Sequence, residues 1–185
     1  MAVAGIGSQH RSVDHSEDSQ PVLSIDYGFM RDTEDSEEED CLPILVMRDR
    51  KTQGYAASVV DSKGVNDYAL KFVIGYVRSL GWKRRTFKSD NEEALLALKR
   101  RVTENLVGVE VIPEESPVGD HSAKGEAENA VREVKRKVRC IKGSLEEYLG
   151  FRLPFNHPML TWLPRHAADL MSKKKLDQTA TPQRS

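Results

Sequence analysis

Residues 125–142 constrain the fold of this chain more than any other stretch, because their apolar members recur at three- and four-residue steps. This spacing predicts one amphipathic helix with a single buried side. The predicted buried stripe consists of Ala127, Ala130, Val131, Val134, Val138 and Ile141.

Two acids flank this stripe, and their neighbours differ. At about 100° per residue, Glu126 and Glu128 fall on opposite sides of the helix. Glu126 has Glu133 and Lys137 beside it, whereas Glu128 is surrounded by five cations, which are Arg132, Lys135, Arg136, Arg139 and Lys142. A single carboxylate among cations suits a place where a metal ion meets a polyanion. The alternative is an exposed helix face held by ordinary pairs such as Glu128 with Arg132.

The net charge of −1 over 185 residues conceals strongly charged segments of opposite sign. Residues 32–40 are nearly all acidic, while 83–88 and 132–142 are basic. A partner with high negative charge is therefore not excluded by the total. The length predicts a single domain with tails.

The two cysteines, Cys41 and Cys140, provide neither a disulfide framework nor metal-ligand spacing, so we expect buried thiols in a reducing compartment. No apolar run approaches the roughly 18 residues needed to span a bilayer. The N-terminus has no signal-peptide or other targeting pattern. We therefore expect an intracellular protein with no membrane partner.

The remaining pattern predicts an α/β domain. The predicted elements are strands 22–30, 42–47 and 55–60, helix 65–80, strand 83–90, helix 91–102 and strand 107–112. This order indicates a mixed sheet flanked by helices. A long loop, 113–124, leads to the helix described above. A short helix at 144–149 and a last helix at 159–171 follow, the latter with Trp162, Leu163, Ala167 and Leu170 inward. Polar tails at 1–20 and 173–185 are predicted to be disordered.

Three acids stand out against these elements. Asp26 lies inside an apolar strand, where a charge is costly unless a cation or hydrogen bonds satisfy it. Asp90 lies where a strand gives way to a helix, so it is either a ligand at a strand end or a helix cap. A central first strand beside the fourth would bring both close to Glu128. Three converging carboxylates repel unless divalent cations join them, as in sites that hold two Mg²⁺ or Mn²⁺ ions for phosphoryl transfer.

The segments around these acids resemble the three acidic blocks of the catalytic core of retroviral and retrotransposon integrases, which are cut from transposable-element polyproteins. The segments are Ser24–Tyr27, Lys88–Asn91 and Ser116–Asn129. The resemblance implies an RNase H-like fold with a five-stranded sheet. It also implies Asp26, Asp90 and Glu128 as the catalytic and metal-binding triad, because the family's Gly-x-x-Glu matches Gly125 to Glu128. Glu126 would be a bystander.

The same resemblance implies a function. An integrase core binds DNA ends and catalyses metal-dependent 3′-end processing and strand transfer with two Mg²⁺ or Mn²⁺ ions and no small-molecule cofactor. It acts as a homo-oligomer on target DNA, which for chromosomal DNA means the nucleus. The implied DNA-binding residues are His121, Lys124, Arg132, Lys135, Arg136 and Arg139.

We interpret residues 21–143 as the core, interrupted by an acidic loop at 31–40, and 144–172 as a helical extension. The family's zinc-binding His/Cys module and its C-terminal DNA-binding module are missing, which indicates a fragment or a degenerate copy. Two other functions remain open. One is an RNase H-like metal-dependent nuclease, and the other is a non-catalytic module for nucleic-acid binding or assembly.

Overall fold

The computed structural model describes residues 21–31, 41–113, 121–155 and 157–180; the side chains of 113, 121–124 and 174–180 are not described. The predicted tail 1–20 and residues 32–40 of the predicted acidic loop lie outside this range. The elements are β1 (Val22–Met30), β2 (Leu42–Asp49), β3 (Tyr55–Val59), α1 (Asp67–Ser79), β4 (Arg84–Lys88), α2 (Glu93–Asn105), β5 (Glu110–Pro113), α3 (His121–Leu149) and α4 (Leu163–Ala180). A single 3-10 turn, Pro158–Leu160, precedes α4.

The five strands form one mixed sheet in the order β3-β2-β1-β4-β5. β1 pairs antiparallel with β2 and parallel with β4. At the two edges of the sheet, β2 pairs antiparallel with β3 and β4 pairs parallel with β5. The predicted mixed five-stranded α/β sheet is confirmed, and β1 lies at its centre.

Alternate residues of β1 face two different hydrophobic clusters, as expected for a strand covered on both sides. Leu23, Ile25 and Tyr27 pack in the cluster that contains buried residues of α1 and α2. Met30 packs in the cluster that contains the stripes of α3 and α4. Asp26 shares the strand face of Met30 and therefore lies on the α3 side of the sheet.

α3 packs on β1 with no space for a side chain at Gly28. A Cβ built at Gly28 would lie 2.5 Å from Cγ1 of Val131, which is closer than such atoms approach in proteins. Glycine here allows the helix and the strand to come together directly. This contact fixes the beginning of α3, and with it Glu128, over the central strand.

α3 is longer than predicted at both ends. It begins at His121, so the predicted loop 113–124 ends earlier, and it continues through Gly143 to Leu149. A glycine inside a helix costs about 1 kcal/mol. Packing of Leu145 and Leu149 against the second cluster offsets this cost. The predicted boundary between core 21–143 and extension 144–172 therefore falls inside one helix.

α4 also differs from its prediction. Leu163 and Ala167 are buried as expected, but Trp162 is 49% exposed and Leu170 36% exposed. The helix begins only at Leu163, so Trp162 precedes it and its ring packs edge-on against His166 at 5.0 Å. The helix extends to Ala180, which makes the first part of the predicted disordered tail 173–185 helical.

The prediction of two buried cysteines is wrong. Cys140 is exposed, since it lies outside the apolar stripe of α3, and Cys41 is only half-buried. Among the described helices, none is long and apolar enough to cross a membrane.

Candidate active site

The pairing of β1 with β4 brings Asp26 and Asp90 to the same part of the sheet. Ser24 lies opposite Lys88 in the last pair of the parallel ladder, so Asp26 and Asp90 each follow that pair by two residues. Neighbouring strands are about 4.8 Å apart, and residues two apart along a strand share a face. Asp26 therefore belongs to the α3 face, and Asp90 lies two residues beyond Lys88, the carboxyl end of β4.

Local hydrogen bonds orient each of these two carboxylates. Asp26 Oδ1 accepts from the backbone amide of Tyr27 at 2.8 Å, and Asp90 Oδ1 accepts from the amide of Asn91 at 2.7 Å. The residue at the N-cap of α2 is Glu92, not Asp90. The interpretation of Asp90 as the cap of the next helix is therefore wrong.

Glu128 lies near the beginning of α3, on its exposed side. It acts electrostatically on Asp26, as does Asp90. Burial raises the pKa of Asp26 most; the Tyr27 amide opposes this rise, and the charges of Asp90, Glu128 and Glu92 add to it. The resulting pKa is about 6, compared with 3.8 for an ordinary aspartate. Asp90 and Glu128 are thus each within electrostatic reach of Asp26.

In the described part of the chain, the three acids do not form a complete set of metal ligands. Within the residues that the structure describes, no three His, Cys, Asp or Glu side chains are placed so that they could hold one metal ion. The chemistry of the donors nevertheless fits, because carboxylate oxygens are the ligands that Mg²⁺ and Mn²⁺ prefer. A divalent cation would also counteract the burial and the neighbouring carboxylate charges that raise the pKa of Asp26.

Glu126 is engaged elsewhere. Its carboxylate forms a two-nitrogen ion pair with Arg50, which follows β2; Arg50 Nε lies 3.1 Å from Oε2. Burial alone would raise the pKa of Glu126, but the hydrogen bonds and charge of Arg50, helped by Arg48, outweigh it and lower that pKa. Glu126 and Glu128 therefore have separate environments, as the helical wheel predicted.

The basic face of α3 borders the acids. Arg132, Arg136 and Arg139 are exposed and Lys135 is half-buried. Burial lowers the pKa of Lys135, and the nearby charges of Arg139 and Arg31 lower it further. The side chains of the other two predicted DNA-binding residues, His121 and Lys124, lie outside the described part, although both belong to α3.

Sequence reasoning missed Glu92 and Lys63. Glu92 adds negative charge near Asp26. Lys63 Nζ lies 2.8 Å from Glu92 Oε1 and above the ring of Tyr27, at 5.9 Å from its centroid. Glu92 could have been identified from the sequence, because it lies only two residues after Asp90. Nothing in the sequence indicates Lys63, because it comes from the segment between β3 and α1.

The strand order and the covering helices define an RNase H-like α/β domain, the fold of integrase catalytic cores. No protein-family model matches the chain, and no curated protein matches it. One similar solved structure is a chain from the simian T-cell lymphotropic virus intasome in complex with the PP2A regulatory subunit B56 gamma. Its TM-score is 0.54 at 11% sequence identity, over 89% of this chain and 55% of that chain.

A second similar structure is the catalytic core domain of BIV integrase, with a TM-score of 0.46 and 12% identity over 89% of this chain and 85% of that one. This chain spans about half the length of the intasome chain. At such identities the likeness concerns the fold alone.

Proposed function

We propose that this chain carries an integrase-type active site that binds DNA ends and catalyses 3′-end processing and strand transfer. The observation that carries the proposal is that Asp90, two residues beyond the ladder of β1 with β4, adds its charge to the burial that raises the pKa of Asp26. Glu128 is the third acid, at the start of that helix. The RNase H-like fold supports the proposal, because it is the fold of integrase cores.

Asp26, Asp90 and Glu128 would hold the metal ions. Two Mg²⁺ or Mn²⁺ ions would supply activation of the attacking water or 3′-hydroxyl and stabilisation of the leaving oxygen. The half-buried position of Asp26 excludes part of the surrounding water, which strengthens the electrostatic interactions of this carboxylate. The amides of Tyr27 and Asn91 keep the two aspartates oriented.

The basic face of α3 would hold the DNA. Arg132, Lys135, Arg136 and Arg139 follow Glu128 on the same helix, so phosphates bound there would run alongside the acids. His121 and Lys124, at the beginning of α3, are proposed to contact the DNA end. Like integrases, the chain would act as a homo-oligomer on chromosomal target DNA in the nucleus, and it would originate from a transposable-element polyprotein.

A labelled DNA duplex with Mg²⁺ or Mn²⁺ tests the proposal. Joined products support the integrase, and cleavage without joining indicates the nuclease instead. Asp26→Asn should abolish strand transfer while Glu126→Gln retains it, because only the first carboxylate belongs to the triad. The reverse result would overturn the assignment. Binding of Mn²⁺ to the wild type and to Asp90→Asn, measured by thermal shift, provides a readout that does not depend on activity.

One observation favours a second candidate, the non-catalytic DNA-binding or assembly module. In the described residues the acids do not form a closed ligand set. If the chain is such a module, it binds DNA but forms no metal-dependent products, and Mn²⁺ does not shift its melting temperature.

A further inference from the structure

A pocket of about 410 Å³ lies at the other end of the basic face of α3. Its charged lining consists of Arg31 after β1, Arg139, Lys142 and Glu146 on α3, and Arg152 in the segment that follows. Among the lining residues that the structure describes, four cations thus face one carboxylate. They come from three separate parts of the chain, so the pocket is a product of the fold and not of one basic run.

Glu146, the carboxylate in the described part of the lining, already has hydrogen-bond partners. Glu146 Oε1 accepts from Lys142 Nζ at 2.8 Å and from the backbone amide of Leu153 at 2.7 Å. The hydrogen bond from Lys142, and then that from Leu153, lowers the pKa of Glu146, so it stays ionised. Its structural effect is to hold the segment of Arg152 against α3.

The arginines of the pocket form no such close pair, although the charge of Arg152 also contributes, after the hydrogen bonds of Lys142 and Leu153, to the lowered pKa of Glu146. Across the described residues, no carboxylate forms an ion pair with Arg31, Arg139 or Arg152. Arg31 and Arg139 are close enough for both to disfavour the charge of Lys135. Converging cations of this kind repel one another, and a bound anion would remove the repulsion.

We propose that this pocket binds one backbone phosphate of the DNA strand that leads away from the acids, with Arg31, Arg139 and Arg152 as its ligands. The inference rests on the proposed function. Guanidinium groups present paired donors that match phosphate oxygens.

The helix sets the distance from the acids. Arg139 lies on the same helix as Glu128, at a separation of about 16 Å given a rise of 1.5 Å per residue. Phosphates of one strand advance by about 3.4 Å per nucleotide, so the contacted phosphate lies about five nucleotides from the reacting end.

The test measures affinity for duplexes that carry one neutral methylphosphonate at successive positions. For the wild type, replacement about five nucleotides from the end should weaken binding roughly ten-fold, as expected for the loss of one hydrogen bond to a charged group. Arg152→Ala should weaken binding of unmodified DNA by a similar factor. The methylphosphonate at that position should then have no further effect on the affinity of this variant. The number of ions released on DNA binding, read from the salt dependence, should fall by about one. Arg101→Ala, which removes an exposed arginine of α2, is the charge-matched control.

Arg31→Ala is a second variant from another part of the chain and should give the same loss at the same position. A methylphosphonate profile that Arg152→Ala leaves unchanged overturns the inference even if strand transfer is intact. If inorganic pyrophosphate stabilises the wild type but not Arg152→Ala while that profile is unchanged, the pocket takes a free anion and the DNA assignment fails. If Arg132→Ala and Arg152→Ala both bind DNA like the wild type, the proposed function fails as well.

Discussion

Asp26 and Asp90 each lie two residues beyond the pair of Ser24 and Lys88, at which the ladder of β1 with β4 ends. The charge of Asp90 adds to the burial that raises the pKa of Asp26, so two like charges interact beside the end of this ladder. The repulsion between these charges lowers the stability of the folded protein, as is usual where function requires like charges to lie close together.

Asp26→Asn should stabilise the ion-free protein at neutral pH. The folded protein binds the proton of Asp26 more tightly than the unfolded chain, since the pKa is about 6 instead of 3.8. The cost of ionising Asp26 is therefore absent below about pH 4 and complete above about pH 6. After allowance for partial exposure, we expect a gain of about 1 to 2 kcal/mol at pH 7.5. Urea unfolding in EDTA at pH 7.5 and pH 4 measures it; a less stable variant at pH 7.5 contradicts the prediction.

Glu126→Gln should show the opposite pH dependence. The pKa of Glu126 is lowered in the folded state, so its ion pair with Arg50 stabilises the protein above the unfolded value of 4.5. That stabilisation is lost as the pH falls through the folded pKa. We expect a loss of about 1 kcal/mol at pH 7.5 that shrinks below pH 4.5. The same urea series measures both variants, and a loss of constant size at all pH values would exclude the ionic explanation.

Gly28→Ala should separate α3 from β1. The added methyl group would lie 2.5 Å from Val131 Cγ1, so the helix must move. Overpacking of this kind costs about 1 to 3 kcal/mol. Because Glu128 is on the displaced helix, strand transfer should fall more than DNA affinity.

The matched control is Gly75→Ala in α1, where a Cβ meets nothing within 4 Å. It should stabilise the protein by about 0.5 to 1 kcal/mol through helix propensity. Equal effects of the two substitutions would refute the close contact at Gly28.

Ser172→Ala should loosen α4 from β3. The Ser172 hydroxyl accepts from the amide of Tyr55 at 2.8 Å, and its proton is directed to the carbonyl oxygens of Tyr55 and Ala168. Removing it leaves a strand amide without its acceptor, at a cost of about 1 to 2 kcal/mol. Ser144→Ala is the control, because that exposed hydroxyl bonds only within α3, to the carbonyl oxygen of Cys140. Thermal unfolding distinguishes the two, and identical melting temperatures would refute the bridge.

The central strand and its acid could be predicted from the sequence, since Asp26 interrupts an apolar run for which packing offers no reason. The separation of Glu126 from Glu128 also followed from helical geometry alone. Both predictions depend only on the regular spacing of side chains along one strand and one helix, and these two elements form as predicted. The mixed character of the sheet followed from the order of the strands and helices along the chain.

Other features depend on contacts between distant segments and could not be predicted. Arg31 and Arg152 join Arg139 only because the chain after α3 turns back towards the end of β1. Trp162 was predicted to face inward as part of a helix over 159–171. The helix begins only at Leu163, so Trp162 lies before it and its indole is exposed.

The contact between Ser172 and Tyr55 also bears on how copies of this chain can associate. A bare outermost strand invites a neighbouring molecule to extend the sheet, which is a route to fibrous aggregates. Here the terminal helix occupies backbone groups of β3, and at the opposite margin β5 ends in Pro113, which has no amide hydrogen to offer. Assembly of this protein should therefore proceed through side chains of its helices, not by strand addition.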